Sequence, residues 1–158
     1  MGGGIAHNLI SAGHHVLVWD IANEVMKKFS RKATLSEPGE MVKKCSIIFL
    51  VVPGTAEIER ILNGRKGVLN QSRRGLIIYD LTTSDPVRTK KLARQAKARN
   101  VDYLDAGMTG GATGADNGTL KLMIGGNKRA FNRSRAVLDA FTTELYHLGP
   151  SGSGHSMK

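Results

Sequence analysis

The chain has 158 residues, 41% of them hydrophobic, which fits one domain with a single real core and excludes a multidomain arrangement. Lys and Arg number 23 against 13 Asp and Glu, so the formal charge of +10 raises nucleic acid or an anionic ligand as a partner, while one cysteine, Cys45, excludes a disulfide framework or a zinc quartet and suits a reducing compartment. No apolar run approaches the roughly 18 residues of a membrane span, and Met1-Gly-Gly-Gly4 has no signal-peptide pattern, so a cytoplasmic protein without membrane association is expected.

Apolar runs of strand length alternate with longer helical segments, which predicts an α/β fold, a doubly wound and mainly parallel sheet with helices on both faces. Ile5 to Ala12 reads as a helix that stops at Gly13, with Ile5, Leu9 and Ala12 on one face. His15-Val-Leu-Val-Trp19 reads as a buried strand ending at Asp20. Asn23 to Arg31 is a polar helix, and Pro38 to Lys44 is a short one leading into Ser46 to Val52, the strongest strand pattern in the chain, which Pro53-Gly54 closes.

Thr55 is placed to cap a helix through Leu62, since its hydroxyl can accept from a free first-turn amide and Glu57 and Glu59 favour that end. Leu76-Ile-Ile-Tyr79 is the next buried strand, and Asp85-Pro86 opens a helix to about Arg99 in cap-then-proline order. A further strand ends at Tyr103-Leu104-Asp105. After a glycine-rich loop come a strand over Leu120 to Ile124, a helix over Lys128 to Phe141 and a short strand over Glu144 to Leu148. A dinucleotide-binding unit normally opens with a strand feeding a tight glycine turn. Here the helix comes first, so either the first strand is missing from this chain or Gly2 to Gly4 form a flexible leader.

Ordered motifs run through the whole chain. Met1-Gly2 precedes Ala6, Asn8-Leu9 and Ala12-Gly13-His14, followed by Val51-Val52-Pro53, Gly67-Val68-Leu69 and Asp80-Leu-Thr-Thr83 before Pro86. Then come Asp105-Ala-Gly-Met-Thr-Gly-Gly111, Gly118-Thr119-Leu120, Met123-Ile-Gly-Gly126 and Gly149-Pro-Ser-Gly-Ser-Gly154, ending at Lys158. This series resembles the β-hydroxyacid dehydrogenase family, beginning just inside its Gly-Leu-Gly-x-Met-Gly turn. That family includes 3-hydroxyisobutyrate dehydrogenases, tartronate semialdehyde and succinic semialdehyde reductases and the related 6-phosphogluconate dehydrogenases. The resemblance implies a Rossmann-like domain spanning 1–158, cut at both ends: the first strand lies before Met1, and the family's all-helical second domain lies beyond Lys158.

The resemblance also assigns roles. Met1, Gly2, Asp20, Val52, Pro53 and Thr83 become cofactor-binding positions. Asp20, at a strand end, can accept from the adenosine ribose hydroxyls and repel a 2′-phosphate, which favours NAD over NADP; it can equally be an ordinary turn residue. Pro53 would end its strand in either case, and Thr82-Thr83 could be a turn and cap pair. Thr109-Gly110-Gly111 stands where the family has Ser-Gly-Gly, whose hydroxyl and exposed amides hold the substrate carboxylate; a glycine loop without a ligand is the plainer alternative. Gly107-Met108 departs from the commoner Pro-Val.

Lys158 aligns with the family's catalytic lysine, the general acid/base, although at a chain end it could also be a frayed terminal residue. The implied activity is hydride transfer between a small 3-hydroxy acid, such as 3-hydroxyisobutyrate, and NAD, with homo-oligomerisation possible in a full-length form. Gly154-His155 before Lys158, along with Gly107-x-Thr109-Gly-Gly, leans towards oxidative decarboxylation of the 6-phosphogluconate type. His14, His15 and His147 show no metal-ligand spacing. Two readings of other classes remain: an inactive fragment, and a basic nucleic-acid-binding module, for which eight aromatics supply no evident stacking platform.

Overall fold

In the computed structural model, which describes residues 1–158, five strands form one sheet in simple sequence order. They are β3 (Ile47–Leu50), β4 (Ile77–Asp80), β5 (Asp102–Thr109), β6 (Leu120–Gly125) and β7 (Thr142–Gly149). β3, β4 and β5 are parallel neighbours, β5 and β6 are antiparallel, and β6 and β7 are parallel again. A separate two-stranded parallel sheet joins β1 (Leu17–Val18) to β2 (Thr34–Leu35).

The alternation of side chains along β4 explains why helices cover both faces. Ile77 and Tyr79 point into one cluster, where α1 (Gly2–Ser11), α7 (Gly111–Asn117) and α8 (Lys128–Leu138) contribute Ile5, Leu9, Ala115, Phe131 and Leu138. Ile78 points into the other, built with Met41 of α3 (Pro38–Lys44), Ile58 and Leu62 of α4 (Thr55–Asn63), Val68 of α5 (Val68–Gln71) and Leu92 of α6 (Pro86–Lys97). Strands buried on both sides read as continuous apolar runs, and all four β4 residues are buried, Asp80 included.

The α/β class and the mainly parallel sheet stand as the sequence predicts, with several local differences. Gly2 to Gly4 are the first turn of α1, which does not fit a flexible leader. The predicted strand over His15 to Trp19 shrinks to Leu17–Val18, because its only partner is the two-residue β2. Thr55 does not cap its own helix: Gly54 is the N-cap, and the buried Thr55 hydroxyl accepts from the backbone N–H of Asp85 at 3.0 Å, tying α4 to the start of α6. Asp85 does cap as expected, accepting from the Val87 N–H at 2.8 Å.

The strand predicted to end at Asp105 runs on to Thr109, and most of the glycine-rich loop beyond it is α7. That helix is bounded by Gly110 at φ +124° and Gly118 at φ +69°, conformations open to glycine. The Asn8 amide of α1 donates to the carbonyls of Ala115 and Asp116 at its carboxyl end. α2 (Asn23–Phe29) lies against β2, and near the C-terminus α9 (Ser153–Met157) packs across β5, β6 and β7.

Candidate active site

Of the residues singled out from sequence, Asp20, Val52, Pro53, Thr83 and Thr109 lie at or just beyond the carboxyl ends of strands, Met1 and Gly2 open α1, and Lys158 closes α9; most of them fall in two groups. The first surrounds a mostly apolar cleft of about 770 Å³ between β1 and β3, lined by Met1, Gly2, Val18, Asp20, Phe49 and Val52 among others. β1 pairs only with β2, and β3 only with β4, so each presents an unpaired backbone edge to this cleft. Met1, Gly2, Asp20 and Val52 are therefore brought together; Pro53 and Thr83 are not part of the lining.

Local structure sets these positions. Met1 is the N-cap of α1 and has no side-chain cap, so the first-turn amides of the Gly2-Gly3-Gly4 run have no partner within the helix. A Cβ on Gly4 would lie 2.4 Å from Asp116 Oδ1 and 2.7 Å from the Ala115 backbone, so Gly4 serves the close packing of α1 on α7, whereas a Cβ on Gly2 would find Val51 only at an ordinary 3.5 Å. Asp20 is exposed, and its Oδ1 accepts from the Ala22 N–H at 2.8 Å, which is the turn role weighed for it. Free helix-end amides and a nearby exposed carboxylate are donors and acceptors that suit the pyrophosphate and ribose of a dinucleotide.

Val52 and Thr83 follow neighbouring strands, and their loops are tied by a bond that sequence reasoning missed. The Val52 N–H donates to Thr82 Oγ1 at 3.2 Å. Thr82 is buried and Thr83 exposed, because the Asp80 carboxylate folds this turn inward, accepting from the Thr82 N–H at 3.0 Å, the Ser84 hydroxyl at 3.0 Å and the Tyr103 hydroxyl at 2.7 Å. Burial, followed by the Asp80 charge, pushes the Tyr103 phenol far above its ordinary range, so it stays a donor.

The second group is at the end of β5. Thr109, Gly110 and Gly111 are exposed, with Gly110 at φ +124° and Gly111 at φ +62°; these left-handed turns bend the backbone sharply from strand into α7. Two residues earlier, a Cβ on Gly107 would lie 3.1 Å from Lys158 Cβ and 3.0 Å from the Gly154 carbonyl oxygen. The missing side chain at Gly107 thus lets the carboxyl end of α9 settle against β5, placing the exposed Lys158 beside the strand that leads to Thr109. His155, buried, links α9 to the turn already described: its Nε2 donates to the Asp80 carbonyl at 3.2 Å and its Nδ1 accepts from the Thr89 hydroxyl of α6 at 2.8 Å. Asp80, Asp105 and His155 stand within sequence motifs, but the contacts that join them to one another, to Thr89 and to Gly152 link residues 47 to 75 apart and leave no local signal.

Four of the surface cations are held in ion pairs: Lys43, Arg88, Lys121 and Arg133 are paired with Glu40, Glu59, Glu144 and Asp102. His147 is held by the Gly126 carbonyl at 2.9 Å. Half-buried Cys45 has its thiol pushed above the ordinary value by burial, which disfavours the reactive thiolate. No helix is long and apolar enough to cross a membrane.

Residues 1–149 match the family model described as the NAD binding domain of 6-phosphogluconate dehydrogenase. Over its full length the chain is 31% identical to the probable mitochondrial 3-hydroxyisobutyrate dehydrogenase of Dictyostelium discoideum, covering 50% of that protein. It is 35% identical to 2-hydroxy-3-oxopropionate reductase of Escherichia coli K12, covering 54% of it. A solved structure of Mycobacterium tuberculosis 3-hydroxyisobutyrate dehydrogenase with L-serine superposes with a TM-score of 0.92 at 26% identity, over 99% of this chain and 54% of that one. The chain thus spans about half the length of the curated relatives it matches.

Proposed function

Because this chain belongs to the family of NAD-binding domains typified by 6-phosphogluconate dehydrogenase, we propose that it is the cofactor-binding half of an NAD-dependent dehydrogenase of small 3-hydroxy acids. The observation that carries this reading is the approach of Lys158 to Gly107, two residues before the Thr109-Gly110-Gly111 turn. A general acid/base and a carboxylate-binding turn must sit a few ångströms apart to serve opposite ends of one short hydroxy acid.

Bound NAD⁺ supplies the hydride acceptor. At the start of α1, Met1 and Gly2 would offer free amides to its pyrophosphate, and the Asp20 carboxylate would accept from its ribose hydroxyls and disfavour a 2′-phosphate. Val52, with Pro53 and Thr83 in the loops that follow β3 and β4, would bound the nicotinamide end. The backbone amides and hydroxyl at Thr109 to Gly111 hold the substrate carboxylate. The Lys158 amine takes the substrate hydroxyl proton as the carbon-bound hydrogen leaves with its electron pair, so the alcohol becomes a carbonyl; in the reverse direction the ammonium returns that proton.

Relatives named for 3-hydroxyisobutyrate and 2-hydroxy-3-oxopropionate support a short hydroxy acid, and they do not favour the phosphogluconate reading that Gly154-His155 suggested. A reducing, cytoplasmic setting accords with the single, unpaired Cys45. The test is NAD-dependent oxidation of 3-hydroxyisobutyrate. Lys158→Met is expected to lower kcat by about 1000-fold, within the range ascribed to a positioned acid/base, while NADH binding is unchanged. Parental turnover in this variant would remove Lys158 from the chemistry.

A further inference from the structure

Among the buried polar groups of the sheet, one has no part in the cofactor or substrate contacts above. Asp105, in the middle of β5, is completely buried. Its two carboxylate oxygens are each spent on the backbone of the segment that leads to Lys158: Oδ1 accepts from the Gly152 N–H at 2.6 Å and Oδ2 from the His155 N–H at 2.9 Å. Two N–H groups aimed at two oxygens is an arrangement a carboxylate satisfies and an amide does not, because the NH₂ of an asparagine would face an N–H.

The surroundings are shaped for this contact. A Cβ on Gly154 would fall 2.4 Å from the Met123 carbonyl oxygen and 2.6 Å from that of Asp105; one on Gly125 would fall 2.8 Å from Asp105 Oδ1 and 2.9 Å from the Gly154 nitrogen. Both obstacles are mainly backbone, so only glycine lets α9 come down onto the Asp105 carboxylate. Gly152, at φ +93°, turns the chain into that position. On its other side α9 is fixed through the His155 ring, between the Thr89 hydroxyl and the Asp80 carbonyl.

We propose that Asp105 is a positioning residue for Lys158: by clamping the Gly152 and His155 amides, with the His155 ring as second anchor, it holds α9 so that Lys158 rests against Gly107 beside the Thr109-Gly110-Gly111 turn. This role rests on the acid/base reading of Lys158. It does not involve Asp105 touching substrate or cofactor. One buried carboxylate thereby couples the strand that ends in the substrate turn to the helix that ends in the lysine, so the two halves of the site cannot drift apart independently.

The test compares the parent with Asp105→Asn in the full chain. By nuclear magnetic resonance the parent shows proximity between the Lys158 β protons and the Gly107 α protons, and slow exchange at the Gly152 and His155 amides. In Asp105→Asn that proximity is lost and those amides exchange faster, while the β3 to β7 amides stay protected. In oxidation of 3-hydroxyisobutyrate kcat falls about 100-fold, the scale of a small misplacement of a reacting group, with the KM for NAD unchanged. A merely structural role would leave kcat per folded molecule at the parental value.

Thr89→Val, which removes only the hydroxyl donor to His155, serves if Asp105→Asn does not fold, and is expected to weaken the same proximity. Retained proximity and parental kcat in Asp105→Asn, or in Thr89→Val where that variant has to decide, overturn the proposal. Loss of turnover in Lys158→Met with parental turnover in Asp105→Asn removes the positioning role alone. Where the parent shows no turnover, the proximity and exchange measurements alone decide, and their persistence in Asp105→Asn overturns the proposal.

Discussion

The two ends of the candidate site are built by opposite means. Around β4, β5 and α9 the buried polar groups are answered from within: Asp80 takes three donors, Asp105 takes two, and the His155 ring joins β4 to α6. Around β1 and β3 the chain instead leaves two unpaired strand edges facing an apolar cleft of about 770 Å³. The contrast teaches that the end holding Lys158 and the glycine turn carries its own scaffold, whereas the end around the cleft draws order from whatever fills the space between β1 and β3.

Truncations in the two regions should separate them most clearly. Leu104 is fully buried in the cluster of β4 to β7, and Leu104→Ala should cost about 3 kcal/mol in chemical denaturation. Leu17 is only half-buried beside the cleft, and Leu17→Ala should cost about 1 kcal/mol or less. Equal losses would mean that β1 is as firmly integrated as β5.

A smaller effect comes from pH. Burial, against a weaker opposing bond from Ser134, pushes the Tyr79 phenol up to about 12, and Tyr103 is displaced in the same direction. A folded value raised above the unfolded one means that the neutral phenol is favoured by folding. Stability from Tyr79 is therefore whole below pH about 10 and is lost as pH rises through about 12, amounting to about 1 kcal/mol by pH 11. Denaturation midpoints measured from pH 8 to 11 should fall for the parent and fall less for Tyr79→Phe.

Much of the fold was legible in the sequence because its strands are buried on both faces and spell themselves as apolar runs, as Ile47 to Leu50 and Ile77 to Tyr79 do. Asp85-Pro86 marked its helix by a local hydrogen bond that local sequence can encode. What stayed hidden depends on distant partners. The Gly-Ala-Thr-Gly-Ala stretch of α7 has poor helix propensity and is held by Asn8, more than a hundred residues away. β2 is two residues long and has no periodicity to read.

The site divides in the same way. The glycine turn at Gly110-Gly111, the strand-end Asp20 and the closing Lys158 could be picked out by motif, whereas Thr82, Asp105 and His155 act through contacts 30 to 75 residues apart along the chain. Thr55 shows the converse error: a residue suited to a local cap spends its hydroxyl on the neighbouring helix, because burial beside Asp85 offers a donor with no other partner in reach.

The most direct test of the account is a titration of the chain with NADH and with NADPH, followed by energy transfer from Trp19, the single tryptophan, which lies beside Asp20 in the wall of the cleft. The account predicts saturable transfer with NADH, a weaker response to NADPH, and a narrowing of that difference in Asp20→Ala. No saturable response to either dinucleotide, or tighter binding of NADPH than of NADH, would contradict it.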